Sequence, residues 1–582
     1  MMALFACALM VACEAAPTPE ESPDGKFAVA MNPLTESPWS DCELETVLFI
    51  VNALDLTEET LKEKGVHTRA AQNIVAYRAG EDGLVGTEDD RFIETIEELD
   101  DIYFVGPAAM EQLVAMGAKA CLETAPSEAI EVVFSPATYH ESHIARVSTL
   151  IDAAERSLDI AMYSFWDNGL IAPLEDAVDR GVQVRMIFNA AKDDKKSPAG
   201  TRSAVLEAMG VDVRYVNKVM HHKFVLIDGP QDSVAQADEA ILVTGSANWS
   251  WSAATRYDEH TLFAYGNDKL NLLFQAEFNH LWEYSRDLVW NEDLERVDTA
   301  PISPLVIPDD MGVDAVFTSA NFEPYEHSTY GPTFKVVSGQ NTVSDYLVSV
   351  ILSAKSSIDI ASGHLRSRPI AEALLEVHKL KPQVAIRVLL DAQEYTSESR
   401  QEKQEEKLVE CLQEAGDSVS KAQKCTDVGY YFAREFHEAG IPLRFKWYAY
   451  KWHYKYAEQM HHKHFIIDGA LVVAGSYNLS DNAEHNTFEN MVRLHGALYP
   501  ELVSDFEENF ETLWVQGEDE ERYESYLDEV VNGLDDFPII VAPMAIDTDQ
   551  VQAIKAAILE TCPMVAQDYF HQEPWKHTVC ER

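Results

Sequence analysis

The sequence predicts an α/β fold in which one α/β sandwich unit occurs twice, preceded by a small all-α domain. Three observations carry this expectation. From about residue 130 onward, segments of helical and strand character alternate, the pattern of a layered unit with a mixed sheet. The chain also repeats itself on a large scale. Ser157-Leu158-Asp159-Ile160-Ala161 returns as Ser357-Ile358-Asp359-Ile360-Ala361, and Val184-Arg185 within VQVRMIFN returns as Ile386-Arg387 within VAIRVLLD. Finally, one phrase is written twice, MHHKFVLIDG at 220–229 and MHHKHFIIDG at 460–469, each running into an apolar strand.

Bulk properties set limits on the rest. A chain of 582 residues with 46% apolar composition buries more than one core and divides into several domains. No internal apolar run is long enough to cross a bilayer. The net charge of −53 repels nucleic acid and anionic lipid over most of the surface, so an anionic substrate demands a confined basic site.

In chain order, Ala3–Ala12 is a short apolar stretch of the kind found at the core of a secretory signal. It ends in Met10-Val11-Ala12-Cys13, which resembles the lipobox of bacterial lipoproteins, within an expected signal segment 1–13. That resemblance implies lipidation at Cys13 and an exported location in a bacterial cell envelope, lipid-anchored or otherwise periplasmic or secreted. Residues 14–40, rich in Pro, Glu and Ser, read as a flexible tether. Beyond Cys13 the chain has six cysteines, an even count that suggests disulfides in an exported protein. Locality favours Cys42–Cys121, Cys411–Cys425 and Cys562–Cys580. None lies in a CxxC pair, which argues against a structural zinc site.

Residues 41–125 read as the helical domain. GVHTRAAQNIVAYR (65–78) and FIETIEELDDIYFVGPAAMEQL (92–113) resemble a tandem helix-hairpin-helix module of DNA-binding competence proteins, with turn glycines at 65 and 106. With 19 Asp and Glu against 6 Lys and Arg, this stretch suits a protein contact or spacer better than duplex DNA. Between the hairpins, Asp82, Glu88, Asp89 and Asp90 form an oxygen-rich loop that can hold Ca²⁺, although such loops are more commonly solvated turns.

The first repeat is expected at 126–300 and the second at 334–520, joined by a proline-rich linker at 301–333 and followed by a C-terminal extension at 521–582. In the first, HIARVSTLIDAAERS places Ile144, Val147 and Ile151 on one helical face. LDIAMYSF has strand composition, IAPLEDAVDRG is helical and VQVRMIF is again a strand. The second repeat carries a charged insertion at about 393–430 that contains Cys411 and Cys425.

The repeated phrase is where chemistry enters. On a strand, His221 and Lys223 point to one face, as do His461 and Lys463, while His222 and His462 point to the other. Asp228 and Asp468 end the strands, where a carboxylate can fix neighbouring structure. Downstream, GSANWSWSAATRYDEH contains Gly245, Ser246, Asn248 and Glu259; GSYNLSDNAEHNTFEN contains Gly475, Ser476, Asn478 and Glu489. Glycine permits close backbone approach, Ser and Asn donate hydrogen bonds to an anionic oxygen, and a Glu can orient an imidazole.

Two HxKx4D phrases, each followed by GSxN and Glu, resemble the phospholipase D superfamily across roughly 130–520. The resemblance implies two phospholipase D-like repeats related by a pseudo-twofold axis that together form one phosphodiesterase site. Within it, one His attacks phosphorus and becomes a phosphohistidine; the other protonates the leaving alcohol and later activates water. Catalytic roles thus fall to His221, His461, Lys223, Lys463, Glu259 and Glu489. Phosphate binding falls to Ser246, Asn248, Ser476 and Asn478, and structural roles to Asp228 and Asp468. No cofactor or metal is expected, and no His/Asp cluster with metal-ligand spacing lies beside the phrases. By analogy His221 is the nucleophile and His461 the acid.

Substrate class is read from FKWYAYKWHYKY (445–456), where Lys446, Lys451 and Lys455 interleave with aromatic residues. Such a stretch suits a lipid interface, and it also suits stacking of single-stranded bases. The expected partner is a phospholipid or membrane surface, acted on by hydrolysis or transfer of phosphatidyl groups. An exported metal-independent nuclease is the alternative, and an inactive phosphate-binding protein a third reading. A monomer suffices for a site within one chain.

Overall fold

The computed structural model describes residues 44–114 with short gaps, then 129–231, 233–288, 312–329, 331–426, 429–447, 458–516, 520–532 and 543–567. All belong to one compact unit, residues 39–582. Cys13, the 14–40 tether, Cys42, Cys121, Cys580 and the acidic positions Asp82, Glu88, Asp89 and Asp90 lie outside the described residues.

The N-terminal part is helical, with Glu58–Glu63, Thr68–Arg78 and Ile96–Asp100. Ala70, Ala71, Ile74 and Arg78 fall on one face of the second of these helices and are buried, as a 3.6-residue period requires. The core joins Ile74 to Val47, Leu61, Leu99 and Leu113. Arg78 is buried because its guanidinium donates to the Val51 carbonyl at 3.0 Å. Of the two expected turn glycines, Gly65 has φ +92°, a left-handed turn, whereas Gly106 is not among the positive-φ glycines described.

The first large sheet contains β1 (Ile130–Ser135), β2 (Ser157–Met162), β3 (Gln183–Phe188), β4 (Asp212–Tyr215), β6 (Lys223–Ile227), β7 (Ile241–Gly245), β8 (Glu259–Tyr265) and β9 (Arg286–Asp287). The two-residue β5 (Val219–Met220) stands outside it. A second sheet contains β10 (Val313–Phe317), β13 (Ser357–Ser362), β14 (Ala385–Asp391), β15 (Leu443–Trp447), β16 (Lys463–Ile467), β17 (Leu471–Gly475), β19 (Asn490–His495) and β20 (Met544–Ile546). Outside that sheet are a hairpin of β11 (Phe322–His327) with β12 (Gly331–Val336), and the short β18 (Thr487–Phe488). The orders β1-β8-β7-β6-β2-β3-β4-β9 and β10-β19-β17-β16-β13-β14-β15-β20 match strand for strand. Both sheets are mixed, with β2-β3-β4 and β13-β14-β15 parallel and the other pairs antiparallel.

The repeated Asp and Arg of the sequence meet at the parallel step of each sheet. Asp159 lies opposite Arg185 and Asp359 opposite Arg387. Arg185 grips Asp159 through two 2.6 Å bonds at a site closed to solvent. Arg387 holds Asp359 at 2.7 and 3.0 Å. The bidentate geometry satisfies both charges, which burial would otherwise penalise heavily.

Alternation along the strands divides the cores. In β6, Val225 and Ile227 join an apolar layer with helices His143–Ala153 and Ile171–Asp179, while Phe224 and Leu226 face the opposite way. That opposite layer is shared by the two repeats, uniting Phe224, Leu242 and Leu262 with Ile466, Val472 and Val492. Helices Asp268–Glu283 and Pro500–Val515 complete it, through Phe274 and Phe278 and through Phe506 and Phe510.

The fold departs from the sequence reading at both ends of the second repeat. Part of the expected linker is structured: Val313–Phe317 pairs with β19 as an edge strand, and Phe322–Val336 forms the hairpin. Part of the expected C-terminal extension, Met544–Ile546, pairs with β15 and closes the other edge. Both segments are too short to carry a periodic signal of their own. Within the charged insertion, helices Glu398–Ala415 and Val419–Thr426 are joined by the Cys411–Cys425 disulfide, with Cα atoms 5.7 Å apart. Cys562 is also disulfide-bonded.

Candidate active site

Each HxK phrase starts a buried central strand, and backbone geometry sets where its residues go. Asp228 and Asp468 follow the strands with φ of 51° and 56°. The Asp228 carboxylate accepts from the backbone N–H groups of Glu155, Arg156 and Ser157; Asp468 does the same for Lys355, Ser356 and Ser357. These aspartates therefore hold the turn entering the neighbouring strand, β2 or β13.

At the other end of the strands the two repeats interlock. β5 pairs in parallel with β18, Val219 opposite Thr487 and Met220 opposite Phe488. The His221 N–H donates to the Phe488 carbonyl at 3.1 Å, and the His461 N–H to the Asp258 carbonyl at 3.0 Å. This exchange sets up a crossed arrangement of side chains. His221 Nδ1 lies 2.8 Å from the Glu489 carboxylate, and His461 Nδ1 lies 2.8 Å from both oxygens of Glu259. Each imidazole is thus oriented by the glutamate of the opposite repeat. A carboxylate on Nδ1 holds the proton there and leaves Nε2 as the free nitrogen.

The two phrases share one site. Lys223, Lys463 and His461 all bear electrostatically on His221, and Lys463 and Lys223 on His461. Lys223 Nζ donates to the His221 carbonyl at 2.6 Å, and Lys463 Nζ does the same to His461. Burial costs every charge here. It pulls Lys223 down to about 7 and Lys463 to about 8, and it pushes Glu259 and Glu489 up to about 7. Burial, reinforced by the two lysines, also holds both histidines well below their ordinary range. An anion entering between the lysines would restore the compensation they lack.

The GSxN residues divide into two kinds. Gly245 and Gly475 lie against the neighbouring strand, where an added Cβ would stand 2.2 Å from the carbonyl oxygens of His260 and Asn490. Ser246 and Ser476, expected to bind phosphate, face the glutamates of their own repeats. Both are fully buried; Ser246 accepts from the His260 N–H at 3.0 Å and bonds Glu259, and Ser476 donates to Glu489 at 2.7 Å. Their hydroxyls are engaged in holding the glutamates that hold the histidines. The asparagines remain available. Asn248 Oδ1 and Asn478 Oδ1 are buried with no hydrogen-bond partner, so each carboxamide is free to turn toward a ligand.

Of the aromatic-basic stretch, Phe445, Lys446 and Trp447 are described and 448–457 lie outside the described residues. Lys446 is buried in a 2.6 Å ion pair with Asp258, so it holds the interface between repeats and does not present charge to a ligand.

Sequence reasoning missed the rim of the site. On the first repeat aromatic residues lie near the site: Tyr163 packs tilted against His221 with ring centres 4.5 Å apart, and Trp166 and Trp251 are 72% and 49% exposed. On the second the surroundings are polar. A cleft of about 410 Å³ beside Asn478 is lined by His364, Arg366, Ser480, Asp481 and His485. Glu394 fixes its wall, accepting from Arg366 and lying 3.0 Å from His364 Nδ1. The repeat itself held the clue: Trp166 and Arg366 occupy equivalent places, each donating its N–H to the residue after Asn248 or Asn478. A further departure lies behind the site, where His260, His462 and His464 converge in the core shared by the repeats. The His462-x-His464 spacing is local, but the third member, His260, comes from the other repeat, so the cluster as a whole is not announced by spacing.

Duplicated mixed sheets meeting in one basic, histidine-bearing cleft define a two-repeat protein of the phospholipase D type of fold. The chain belongs to the family described as "Cardiolipin synthase, PLD-like domain", whose model matches residues 147–282 and 347–514, more than half of the chain. It is 30% identical over 152 residues to a mitochondrial cardiolipin hydrolase of Drosophila melanogaster, covering 24% of this chain and 58% of that protein. With the human mitochondrial cardiolipin hydrolase it shares 30% identity over 145 residues, 25% of this chain and 52% of the relative. The chain thus spans little more than half the length of these relatives. Among solved structures, it is similar to the phosphatidylserine synthase of Haemophilus influenzae Rd KW20 (TM-score 0.41, 12% identity, 68% of this chain and 90% of that chain). It is also similar to NUC of Salmonella typhimurium, described as a phospholipase D family member (TM-score 0.23, 23% identity, 28% and 97%).

Proposed function

We propose that this chain is a phosphodiesterase that hydrolyses or transfers phosphatidyl groups through a phosphohistidine. The observation that carries this reading is the crossed pair of histidine–glutamate contacts, which puts two oriented imidazoles and two buried lysines in one cleft. Glu489 holds the proton of His221 on Nδ1, so the Nε2 lone pair attacks phosphorus. The P–O bond to the alcohol breaks, and His461, which enters the cycle as an imidazolium with Glu259 on Nδ1 and the substrate's anionic charge beside it, gives its Nε2 proton to the departing oxygen. In the second step His461 takes a proton from water, the hydroxide oxygen attacks phosphorus, and the P–N bond breaks to free His221. An alcohol in place of water yields transfer. Lys223, Lys463, Asn248 and Asn478 hold the nonbridging oxygens, whose charge grows in each transition state.

Three observations favour lipid. The first repeat exposes two aromatic side chains, Trp166 and Trp251, close in sequence to Tyr163 and Asn248, and the second offers a polar cleft around Arg366 and Asn478, surfaces suited to an acyl end and a headgroup. The curated relatives are named as cardiolipin hydrolases. Anchoring at Cys13, read from the sequence, would hold the site against a bilayer and would place it in the cell envelope. The test is parallel incubation of the pure protein with phosphatidylcholine vesicles, cardiolipin vesicles and single-stranded DNA, without added divalent metal. Release of phosphatidic acid or headgroup is expected. Cleavage of DNA alone would make the protein a nuclease, and no turnover on any of the three would leave it a phosphate-binding protein.

A further inference from the structure

Behind the proposed catalytic pair lie three histidines that the reaction does not use. His260 is on β8, next to Glu259; His462 just precedes β16, next to His461, and His464 lies on it, one on either side of Lys463. All three are fully closed to solvent. They point into the core shared by the two repeats, His260 and His464 edge-on to Phe506 and His462 edge-on to Phe134. One nitrogen from each lies within 4.8 Å of the others, and His260 Nδ1 is 3.2 Å from His462 Nδ1.

Their hydrogen bonding does not balance. His260 Nε2, His462 Nε2 and both nitrogens of His464 are buried without a partner. Interiors rarely tolerate one such group, so four in one cluster mark a place that packing alone does not balance; an ion on the facing Nδ1 atoms of His260 and His462 and on one nitrogen of His464 would engage one of the four and replace the strained Nδ1–Nδ1 contact. The other half of the molecule shows what a balanced version looks like. There His222 stands in place of His462, Asn490 in place of His260 and Phe224 in place of His464. His222 Nε2 meets Glu277 at 3.0 Å and its Nδ1 meets the Asn490 carboxamide at 2.9 Å, so both nitrogens are satisfied. The matching Phe-x3-Phe-x3-Trp runs of the two helices, 274–282 and 506–514, align Glu277 with Asn509. Asn509 Oδ1 is itself buried without a partner. One half has therefore exchanged a carboxylate, an amide and a phenylalanine for an amide and two further imidazoles.

We infer that His260, His462 and His464 form a binding site for one Zn²⁺ ion, which ties the first repeat to the second directly behind the His461–Glu259 pair. Imidazole nitrogens are the preferred ligands of Zn²⁺, and two bound tetrahedrally at about 2.0–2.1 Å stand about 3.3 Å apart, close to the separation of the facing Nδ1 atoms. Burial favours neutral imidazole, the form that binds metal. The ion would be structural, since the cluster lies on the core face of strands whose other face carries His461 and Glu259.

The test is zinc binding to the chelator-stripped full chain, measured by elemental analysis after gel filtration in excess Ca²⁺, which occupies the acidic surface. Wild type is compared with His464→Phe, the residue the other half uses. About one tightly held Zn²⁺ per wild-type chain is expected, with none on the variant, together with a Zn²⁺-dependent rise in melting temperature in wild type alone. No retained zinc on the wild type, or equal retention by a folded variant, overturns the inference. Should the variant fail to fold, wild type loaded with Co²⁺ decides: the strong visible absorption of tetrahedral, nitrogen-ligated cobalt supports the site, and its absence removes it.

Discussion

Glu259 and Glu489 carry the heaviest duty of any single residues, because each orients a histidine from the other repeat. Glu489→Gln keeps the size and the Ser476 contact but cannot hold the Nδ1 proton of His221 as a carboxylate does. Turnover should fall on the order of 10²–10⁴-fold with the fold intact by circular dichroism, and Glu259→Gln should do the same to His461. A pH profile tests the lysines. Lys223, at about 7, and Lys463, at about 8, are charged below those values and neutral above them. A phosphodiester stays anionic throughout, so its binding should weaken as pH rises through roughly 7 to 8, seen as a rising KM on the alkaline side. Much of this was legible in the chain. The HxK spacing on a strand brings His221 and Lys223 to one face without any tertiary information. What could not be read was the crossing of the glutamates, or the consumption of Ser246 and Ser476 in holding them. The first depends on the two repeats interlocking, the second on β7 pairing with β8 and β17 with β19 within each sheet.

At the scale of elements, the strands work because their ends are tied down. Gly475 lies where a Cβ would stand 2.2 Å from the Asn490 carbonyl, so Gly475→Ala must push β17 away from β19. That moves Glu489, one residue away, and both melting temperature and turnover should drop. Asp468→Ala leaves the Lys355, Ser356 and Ser357 N–H groups without their acceptor. A loss of about 1 kcal/mol is expected in denaturant unfolding, since water can replace the acceptor at the exposed Lys355 and Ser356 while the partly buried Ser357 N–H is left unpaired. The strands with repeated sequence were predicted because Ser-x-Asp and Val/Ile-Arg mark them twice. β10 and β20 were not, since Val313–Phe317 and Met544–Ile546 become strands only by pairing with sheet edges already formed.

Over the whole molecule, duplication explains why an acidic chain holds a basic site. Each repeat supplies one lysine and one histidine, and neither alone gives a clamp for a phosphate. The Cys411–Cys425 staple belongs to an insertion present in one copy, and it closes a loop with a sequence separation of 14. Replacing both cysteines by serine should cost up to about 3 kcal/mol of stability and leave kcat unchanged. The most direct test of one site assembled from two repeats is trapping of the covalent intermediate in His221→Ala and His461→Ala. The substrate is a labelled phosphodiester with a p-nitrophenol leaving group, which needs little protonation. His461→Ala should retain acid-labile label on the protein and His221→Ala none, while both lose turnover of natural substrates. Label on His221→Ala alone would reverse the two roles; wild-type turnover by both variants would contradict the shared site altogether.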